Sequence, residues 1–443
     1  MNWKALLSLK RYGDTESRPR LLQDETRLGF EVDYDRIIFS GDFRSLQDKT
    51  QVVPLSEMDF VHTRLTHSLE VSVVGRTLGR LAGNIVLSKH PELKKEGYKI
   101  HDFGAIVAAA ALAHDIGNPP FGHGGERAIS DYFAHGNGKK FHKELSAGQW
   151  RDLTHFEGNA NGFRLLVHDR PYAPGGLRLS YATLGAFMKY PGPSFDRRPS
   201  PHIATKKYGV FRSELPFFEE LSSDLGLRIL SKETGSYYRH PLSYLVEAAD
   251  DICYTIIDFE DAINLGYIPE EKALEYMIKI VRNNLNREKF SSLPTRKERV
   301  GYLRALAIQS LIYDATGVFD RYYEQILTGE FSTSLLAKGN YSAQLDDIIH
   351  ISKTHFYRSR EVVEKELKGY RAIQFLLDVF IDAAMGNARE NASGFDRLVW
   401  QILPEKFKHV PPDGSLYEIL LNITSYIAGM SDEYALRMYG KLK

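Results

Sequence analysis

Residues 108–129 read AAAALAHDIGNPPFGHGGERAI, and this stretch is the best guide to both the fold and the chemistry. An apolar, alanine-rich run ends on His114-Asp115, and a Gly/Pro loop then leads to His123 at the start of another predicted helix. Two polar groups at the end of the most apolar helix need buried partners. The other two His-Asp pairs, His101-Asp102 and His168-Asp169, lie at predicted helix ends, where capping and the helix dipole explain them.

Helical periodicity dominates the rest of the chain. Strand-like alternation is scarce, and YDRIIFS (34–40) and YRHP (238–241) are the best short candidates. Turn-forming residues indicate loops at 135–153, 190–205 and 389–394. We therefore predict an all-α protein with few short strands. Apolar residues recur at spacings of three and four in segments 61–87, 103–115, 125–134, 158–168, 241–264, 270–285, 300–327, 355–384 and 415–429.

Composition excludes several classes of protein and site. The 443 residues are 43% hydrophobic and 26% charged with no net charge, so bulk charge favours neither nucleic acid nor membrane. A single cysteine, Cys253, excludes an intrachain disulfide and a cysteine-cluster metal site. The longest apolar stretch, about 103–113, is too short to cross a bilayer, and the N-terminus is not typical of a signal peptide. We expect a cytoplasmic protein that does not associate with membranes.

Three predicted helices carry the side chains of a metal site. In HTRLTHSLEV, Arg64 and His67 are three residues apart and share a helix face. His114-Asp115 ends the second helix. The third reads YLVEAADDICYTIIDFEDAI and carries a polar stripe beside its apolar one. This stripe contains Asp250, Tyr254, Asp258 and Asp261.

Two imidazoles and two carboxylates would form a mixed nitrogen and oxygen site. Such a set suits a divalent ion, with Mn²⁺ or Mg²⁺ first and Fe²⁺, Ni²⁺ or Zn²⁺ next. Water on the ion would become a nucleophile near neutral pH. His123 beside this site indicates an acid that protonates a leaving group, and the glycines around it open a helix whose N–H groups could face an anion. The plainer interpretations are surface histidines, a solvated aspartate face and a tight glycine turn.

Several motifs in a fixed order resemble the HD-domain phosphohydrolases. More narrowly, they resemble the deoxynucleoside triphosphate triphosphohydrolase (dGTPase) family. The resemblance implies one extended helical domain over residues 1–443, with an HD metal-binding core at about 60–265 and a C-terminal helical elaboration at about 266–443. One departure is Phe43-Arg44-Ser45-Leu46, where the family usually has two arginines. The motifs are DYDRIIFSGDFRSLQDKTQVVPL, HTRLTHSLEV, AAALAHDIGNPPFGHGGE, HFEGNAN, YLVEAADDICY and YIAGMSDEYAL.

The resemblance implies that the metal ligands are His67, His114, Asp115 and Asp250. Asp251 competes with Asp250 for the last place. Asp250 is preferred because the family's active-site tyrosine lies one turn after the metal aspartate, which here is Tyr254, and Asp251 would point about 100° away.

The family pattern also assigns residues to catalysis and to substrate binding. His123 matches the catalytic histidine, and Glu126 matches the acid that positions it. Arg64 matches a phosphate ligand, and Tyr254 packs where a 2′-hydroxyl would project. The remaining predicted substrate contacts are Gln51 and Asp258 at the sugar 3′-hydroxyl, His155 and Glu157 as further active-site polar groups, and Lys189 and Lys207 at the triphosphate.

The implied reaction is metal-dependent attack of water at the α-phosphorus of a dNTP such as dGTP, which gives a deoxynucleoside and intact triphosphate. The alternatives are another HD-type nucleotide phosphodiesterase or phosphatase, a dNTP-sensing nucleic-acid-binding regulator, and a metal site that only joins helices. The family also implies a homo-oligomer, often a hexamer, with dNTP or single-stranded DNA as an effector. The sequence does not indicate a base preference.

Overall fold

The computed structural model describes residues 1–50, 62–169, 174–282, 284–355, 360–408 and 415–443. These residues are mainly helical, and the sheet structure among them is a single two-stranded antiparallel hairpin. The prediction of an all-α fold with few short strands is confirmed. Within the described part of the chain, no helix is both long and apolar enough to cross a membrane.

The described chain up to residue 264 holds twelve α-helices and the hairpin. In chain order these are α1 (Trp3–Leu6), α2 (Gly29–Ile38), α3 (Gly41–Arg44), α4 (Arg64–Lys89), α5 (Glu92–Lys95), α6 (Ile100–Ala113), α7 (Gly122–Ala134), α8 (Ala147–Thr154), α9 (Gly158–Val167), α10 (Tyr181–Phe187), α11 (Leu215–Asp224), β1 (Ile229–Ser231), β2 (Ser236–Tyr237) and α12 (Ser243–Asn264). Short 3₁₀ helices lie between them at Arg20–Leu22, Asn137–Glu144, Ile203–Thr205 and Arg212–Glu214.

The described chain after residue 264 is also helical. A 3₁₀ helix at Leu336–Lys338 interrupts it. In chain order its helices are α13 (Glu270–Val281), α14 (Arg287–Ser292), α15 (Arg296–Arg321), α16 (Tyr323–Thr328), α17 (Ser342–His355), α18 (Arg360–Ala388), α19 (Gly394–Ile402), α20 (Glu405–Lys408), α21 (Leu416–Ala428) and α22 (Asp432–Leu442). Helix α18 packs against α7, α21 and α22, so the C-terminal helices lie against the helix whose second residue is His123.

The pair formed by α4 and α6 is the centre of the core. Every residue from Phe103 to Ala113 in α6 is buried except Ala105, which is partly exposed. A Cβ on Gly79 of α4 would lie 2.6 Å from the Phe103 carbonyl oxygen, so glycine is needed for this close approach. Helix α12 packs against both members of the pair. Three helices from distant parts of the sequence therefore meet along one seam.

The start of α4 is fixed by its own threonines. Thr63 Oγ1 accepts the N–H of Thr66 at 3.4 Å, and Thr66 Oγ1 accepts the N–H of Thr63 at 3.0 Å. This reciprocal capping box begins the helix at Arg64, three residues after the predicted start. Arg64 and His67 consequently lie in its first turn, at the end nearest to His114.

Both predicted strands are wrong. The first, YDRIIFS, lies mostly in α2, where Phe30, Asp33 and Ile37 form a buried face at helical spacing that outweighs the local β propensity. The second, YRHP, begins directly after β2, whose pairing with β1 ends at Tyr237. The predicted loop at 135–153 instead contains the 3₁₀ helix Asn137–Glu144 and most of α8, which Ser146 caps.

Candidate active site

The predicted metal ligands meet where α4, α6 and α12 converge. One ligand atom from each of His67, His114 and Asp115 lies within 4.8 Å of the others. Asp250 Oδ1 of α12 lies 3.3 Å from His67 Nε2 and 3.5 Å from His114 Nε2. Two imidazoles and two carboxylates thus face one another, as expected for a mixed nitrogen and oxygen site.

Unpaired buried atoms show that this cluster suits a cation. His114 Nδ1 donates to the Ala111 carbonyl oxygen at 2.6 Å, an arrangement that orients the ring and directs Nε2 toward the cluster. His114 Nε2 and Asp115 Oδ2 are both buried without a hydrogen-bond partner among the described residues. Buried lone pairs without donors are costly, and a divalent ion would satisfy them.

Asp250 and the neighbouring Asp251 have different electrostatic environments. Burial alone would raise the pKa of Asp250, but the charges of Lys189 and His114 hold it well below its usual value. Burial and the charge of Glu247 instead raise the pKa of Asp251 to about 7. Asp250 is therefore ionised at neutral pH, as metal ligation by a carboxylate requires.

Arg64 borders the cluster on the side of Asp115. Its Nη1 donates to Asp115 Oδ1 at 2.9 Å. Burial would raise the pKa of Asp115, but the charges of Arg64, His114 and His67 together lower it. Asn118 Nδ2 donates to the same oxygen at 2.6 Å, so Oδ1 has two donors, while Oδ2 is buried without a hydrogen-bond partner among the described residues.

A cleft of about 710 Å³ opens over the cluster. It is large enough for a nucleotide-sized ligand. Cationic side chains line it from separate elements, as a polyphosphate site requires. These cations are Arg64, Arg127, Lys189, Lys207 and Lys353.

His123 and Glu126 form a hydrogen-bonded pair at the start of α7. His123 Nδ1 lies 2.7 Å from Glu126 Oε2, while Glu126 Oε1 accepts the N–H of Gly158 at 3.0 Å. The His123 side chain is 79% exposed and lines the cleft, so Nε2 is the ring nitrogen left for a ligand. Burial would raise the pKa of Glu126, but the bond to His123 and the charge of Lys207 lower it. An ionised Glu126 can orient the imidazole.

The two predicted lysines each contact a carboxylate in the cleft. Lys189 Nζ donates to Asp250 Oδ2 and Lys207 Nζ donates to Glu157 Oε1, both at 2.9 Å. Burial and the charge of Glu126 raise the pKa of Glu157. Both lysines line the cleft. An anionic ligand in the cleft could therefore replace these carboxylates as the partner of each ammonium group.

The remaining predicted contacts lie at different distances from the cluster. Tyr254 follows Asp250 by one turn of α12 and lines the cleft. Asp258 is one turn further along and buried, and it is not among the described residues that line the cleft. His155 is exposed at the end of α8, with Nδ1 3.1 Å from Thr154 Oγ1, and is likewise outside the lining. Gln51 lies outside the described residues.

Comparisons with known proteins identify the family. Residues 64–167 match the HD domain. The chain is 38% identical to a deoxyguanosinetriphosphate triphosphohydrolase-like protein of Synechocystis sp., over 100% of this chain and 99% of the relative. It is 37% identical to a protein described in the same words from Pseudomonas aeruginosa, over 99% of this chain and 98% of the relative. The chain belongs to the deoxyguanosinetriphosphate triphosphohydrolase family.

Membership of this family makes the chain an HD-domain hydrolase. A further relative, a deoxyguanosinetriphosphate triphosphohydrolase of Yersinia enterocolitica, is 31% identical over 96% of each chain. In all three relatives the similarity extends well beyond the HD domain, since it includes the C-terminal helices.

Sequence reasoning missed a buried clamp behind Lys189. Arg239 donates to both carboxylate oxygens of Glu247, at 2.6 and 3.2 Å, and its Nε donates to the Lys189 carbonyl oxygen at 2.6 Å. The guanidinium lies over the rings of Tyr190 and Tyr244, 5.6 and 5.2 Å from their centroids. Arg239 therefore joins the Lys189 backbone to α12 one turn before Asp250. In the sequence, the only indication of this contact was the adjacent pair of polar residues Arg239 and His240 in the YRHP segment.

The cleft also contains residues from the C-terminal half that no motif indicated. Lys353 near the end of α17, and Val363 and Glu366 of α18, line it together with the predicted metal ligands His114, Asp115 and Asp250. Glu366 pairs with Arg127 of α7 at 3.2 Å. These positions have no distinctive spacing in the sequence, so only the packing of α17 and α18 could identify them.

Proposed function

We propose that the protein hydrolyses deoxynucleoside triphosphates, dGTP and other dNTPs among them, at the α-phosphorus to give a deoxynucleoside and inorganic triphosphate. The observation that carries the proposal is the arrangement of the cleft, in which the metal-ligand cluster, a His–Glu pair and several cations face the same space. The family relationship supports it, because the relatives named above carry deoxyguanosinetriphosphate triphosphohydrolase names.

The proposed metal ligands are His67, His114, Asp115 and Asp250. We propose Mn²⁺ or Mg²⁺ as the ion, with Fe²⁺, Ni²⁺ and Zn²⁺ as alternatives compatible with this donor set. When bound, such an ion supplies a Lewis acid for the phosphate oxygens and lowers the pKa of coordinated water.

Arg64, Lys189 and Lys207 are the proposed phosphate ligands. All three line the cleft and already contact carboxylates there, through Asp115, Asp250 and Glu157. Their charges would offset the triphosphate charge and the negative charge that develops as the α-phosphate is attacked. Charge-assisted contacts are strong enough to hold a triphosphate in one orientation.

His123 is the proposed general acid, and Glu126 is the residue that orients it. Water adds to the α-phosphorus and gives up one proton, the bond from phosphorus to the 5′-oxygen breaks, and the leaving oxygen takes a proton from His123 Nε2, so that one proton is released and one is consumed in each turnover. Glu126 holds Nδ1 at 2.7 Å, and an ionised Glu126 stabilises the protonated imidazole before transfer.

Tyr254 is proposed to select the deoxyribose. A 2′-hydroxyl would collide with the ring or lose its hydration without gaining a partner. Gln51 and Asp258 remain the proposed contacts of the 3′-hydroxyl. Glu157 and His155 remain proposed as further polar groups around the substrate, with Glu157 in the cleft lining.

We also propose the larger-scale properties that the family implies. These are a single domain with an HD core at about 60–265 and a helical elaboration at about 266–443, cytoplasmic location, and assembly into a homo-oligomer, for which the hexamer is the first state to test. A dNTP or single-stranded DNA is the proposed effector.

The deciding experiment is incubation of the metal-loaded protein with each of the four dNTPs, followed by identification of the products. Intact triphosphate and a deoxynucleoside, both lost when a chelator is added, are the expected result. Pyrophosphate or orthophosphate would instead assign the protein to another HD-type phosphodiesterase or phosphatase. Absence of hydrolysis with all four dNTPs, together with nucleotide binding, would favour a regulator.

A further inference from the structure

The C-terminal motif YIAGMSDEYAL meets the loop that carries His123. Asp432 Oδ1 accepts the N–H of Phe121 at 2.9 Å, and Asp432 Oδ2 accepts the N–H of Thr50 at 3.3 Å. The Asp432 side chain is buried, with 1% of the residue exposed. Both carboxylate oxygens therefore hold backbone groups of segments that are far away in the sequence.

Phe121 adopts a backbone conformation that its own sequence does not favour. Its φ is +62°, in the left-handed region, directly before α7 and two residues before His123. A non-glycine residue in this region costs about 1–2 kcal/mol, so surrounding contacts must hold it there. The Phe121 ring provides one such contact, because a Cβ on Gly369 of α18 would lie 2.3 Å from its Cγ atom. Only glycine at position 369 leaves room for this ring.

A buried lysine ties the same segments together. Lys49 Nζ donates to the carbonyl oxygens of Asn118 and Ala428, at 2.7 and 2.6 Å. The Lys49 carbonyl oxygen in turn accepts the N–H of Arg64 at 2.9 Å. Segments 48–50, 118–121 and 428–432 thus form one hydrogen-bonded junction beside the metal ligands.

The contacts of Asp432 are not those needed to begin its own helix. The N-cap of α22 is Ser431, whose side chain accepts the N–H of Tyr434 at 3.2 Å. The Asp432 side chain instead accepts hydrogen bonds from the backbones of Phe121 and Thr50. A helix-capping role therefore does not account for this buried carboxylate.

We infer that Asp432 is a positioning residue for His123, which it places at the cleft by fixing the left-handed conformation of Phe121 together with Gly369. This inference rests on the proposed function, in which His123 protonates the leaving group. Loss of the Phe121 restraint would let the start of α7 relax and move the imidazole. A displacement of about 1 Å at a catalytic group can cost on the order of 100-fold in rate.

The test is a set of kinetic measurements on D432A. We expect kcat for a dNTP to fall by about 10- to 100-fold, with KM and metal affinity within about threefold of wild type, because the hydrogen bonds of the Asp432 side chain go to the backbones of Phe121 and Thr50 and not to the proposed metal ligands or phosphate cations. The controls are S431A, which weakens the start of α22 without touching Phe121, and E433Q, which changes an exposed neighbouring carboxylate. Both should retain wild-type kcat.

A double-mutant cycle separates positioning from a general loss of stability. In an H123A background, D432A should cause little further loss, since a residue that acts through His123 has no effect once the imidazole is absent. An equal fold-loss in both backgrounds, or a wild-type kcat for D432A, would overturn the inference. If H123A itself retains wild-type turnover, His123 is not the general acid, and both that part of the proposed function and the inference built on it have failed.

Gly369 supplies an independent variant. G369A should displace the Phe121 ring and reproduce the kcat defect of D432A, while G317A, which places the same methyl group in open space on α15, should not. Thermal unfolding confirms that each variant is folded at the assay temperature. If the H123A background is too slow to measure, G369A decides: wild-type kcat in G369A overturns the inference.

Discussion

Lys189 Nζ lies 2.9 Å from Asp250 Oδ2, while Asp250 Oδ1 faces the imidazoles of His67 and His114. The two oxygens of one carboxylate therefore contact different partners, a lysine of the cleft on one side and two imidazoles on the other. This relationship distinguishes Asp250 from its neighbour Asp251 and gives the first prediction.

D250A should lose metal and activity, whereas D251A should retain both to a much larger extent. Mutation of a residue that only hydrogen-bonds to a metal ligand typically lowers metal affinity by about 10- to 100-fold. Loss of a direct ligand in D250A should therefore weaken metal binding by at least about 100-fold. Calorimetric titration of Mn²⁺ into each variant measures this difference. Equal metal affinity in D250A and wild type would contradict the ligand assignment.

H123A should lower kcat by about 100- to 10,000-fold, the range typical of general acid–base catalysis. E126Q keeps the size of the side chain but removes the charge that orients His123 and stabilises its protonated form, so a smaller loss of kcat is expected. Steady-state kinetics with product analysis checks both variants. H142A, which changes a histidine outside the cleft lining, is the matched control. Metal affinity should be unchanged in all three variants.

Y254A should narrow the ratio of dNTP to NTP hydrolysis by about tenfold, because the variant leaves room and hydration for a 2′-hydroxyl. The ratio of kcat/KM values for dGTP and GTP is the measurement. An unchanged ratio would remove Tyr254 from sugar selection, even if both activities fall.

Lys49 should make stability depend on pH. Burial and the charge of Arg64 lower its pKa to about 7, below the usual 10.5, so between these values the unfolded chain binds more protons than the folded chain. The free energy of unfolding must then rise with pH across this window. From pH 7 to 9 we expect a rise of about 2 kcal/mol for wild type relative to K49M, measured by urea unfolding. Parallel pH profiles for the two proteins would refute this assignment.

R239M should destabilise the protein by about 3–5 kcal/mol, because it leaves Glu247 buried without its partner. The double variant R239M/E247L should recover much of this loss, since a buried pair can often be replaced by apolar residues. R239M should also raise the KM for a dNTP, and this KM should stay raised in the double variant, because in both proteins the Lys189 backbone has lost its Arg239 donor. Full recovery of both stability and KM would show that the clamp does not position Lys189.

Much of the clustering of the proposed metal ligands could be predicted from the sequence because each of them lies on or at the end of a strongly patterned helix. The spacing of Arg64 and His67, the end of the apolar helix at His114-Asp115 and the stripe containing Asp250 each depend only on helical period. The predicted strand YDRIIFS was wrong because a short run of β-branched residues says little about which face becomes buried.

The supporting contacts could not be predicted in the same way. Lys49, Arg239 and Asp432 act through backbone carbonyl and amide groups of distant segments, and such contacts have no side-chain pattern to reveal them. Asp432 lay inside a motif that the family resemblance had already indicated, yet its partner Phe121 could be found only from the packing of the C-terminal helices.

The junction of Lys49, Phe121 and Asp432 has a consequence for synthesis of the protein. Its hydrogen bonds span 69, 311 and 379 positions of the sequence. Contacts of such separation form late, after the closure of long loops. On a ribosome, the HD helices would emerge and fold long before residue 432 appears. If Asp432 positions His123 as inferred, a nascent chain would reach its full turnover only after its last helices have docked.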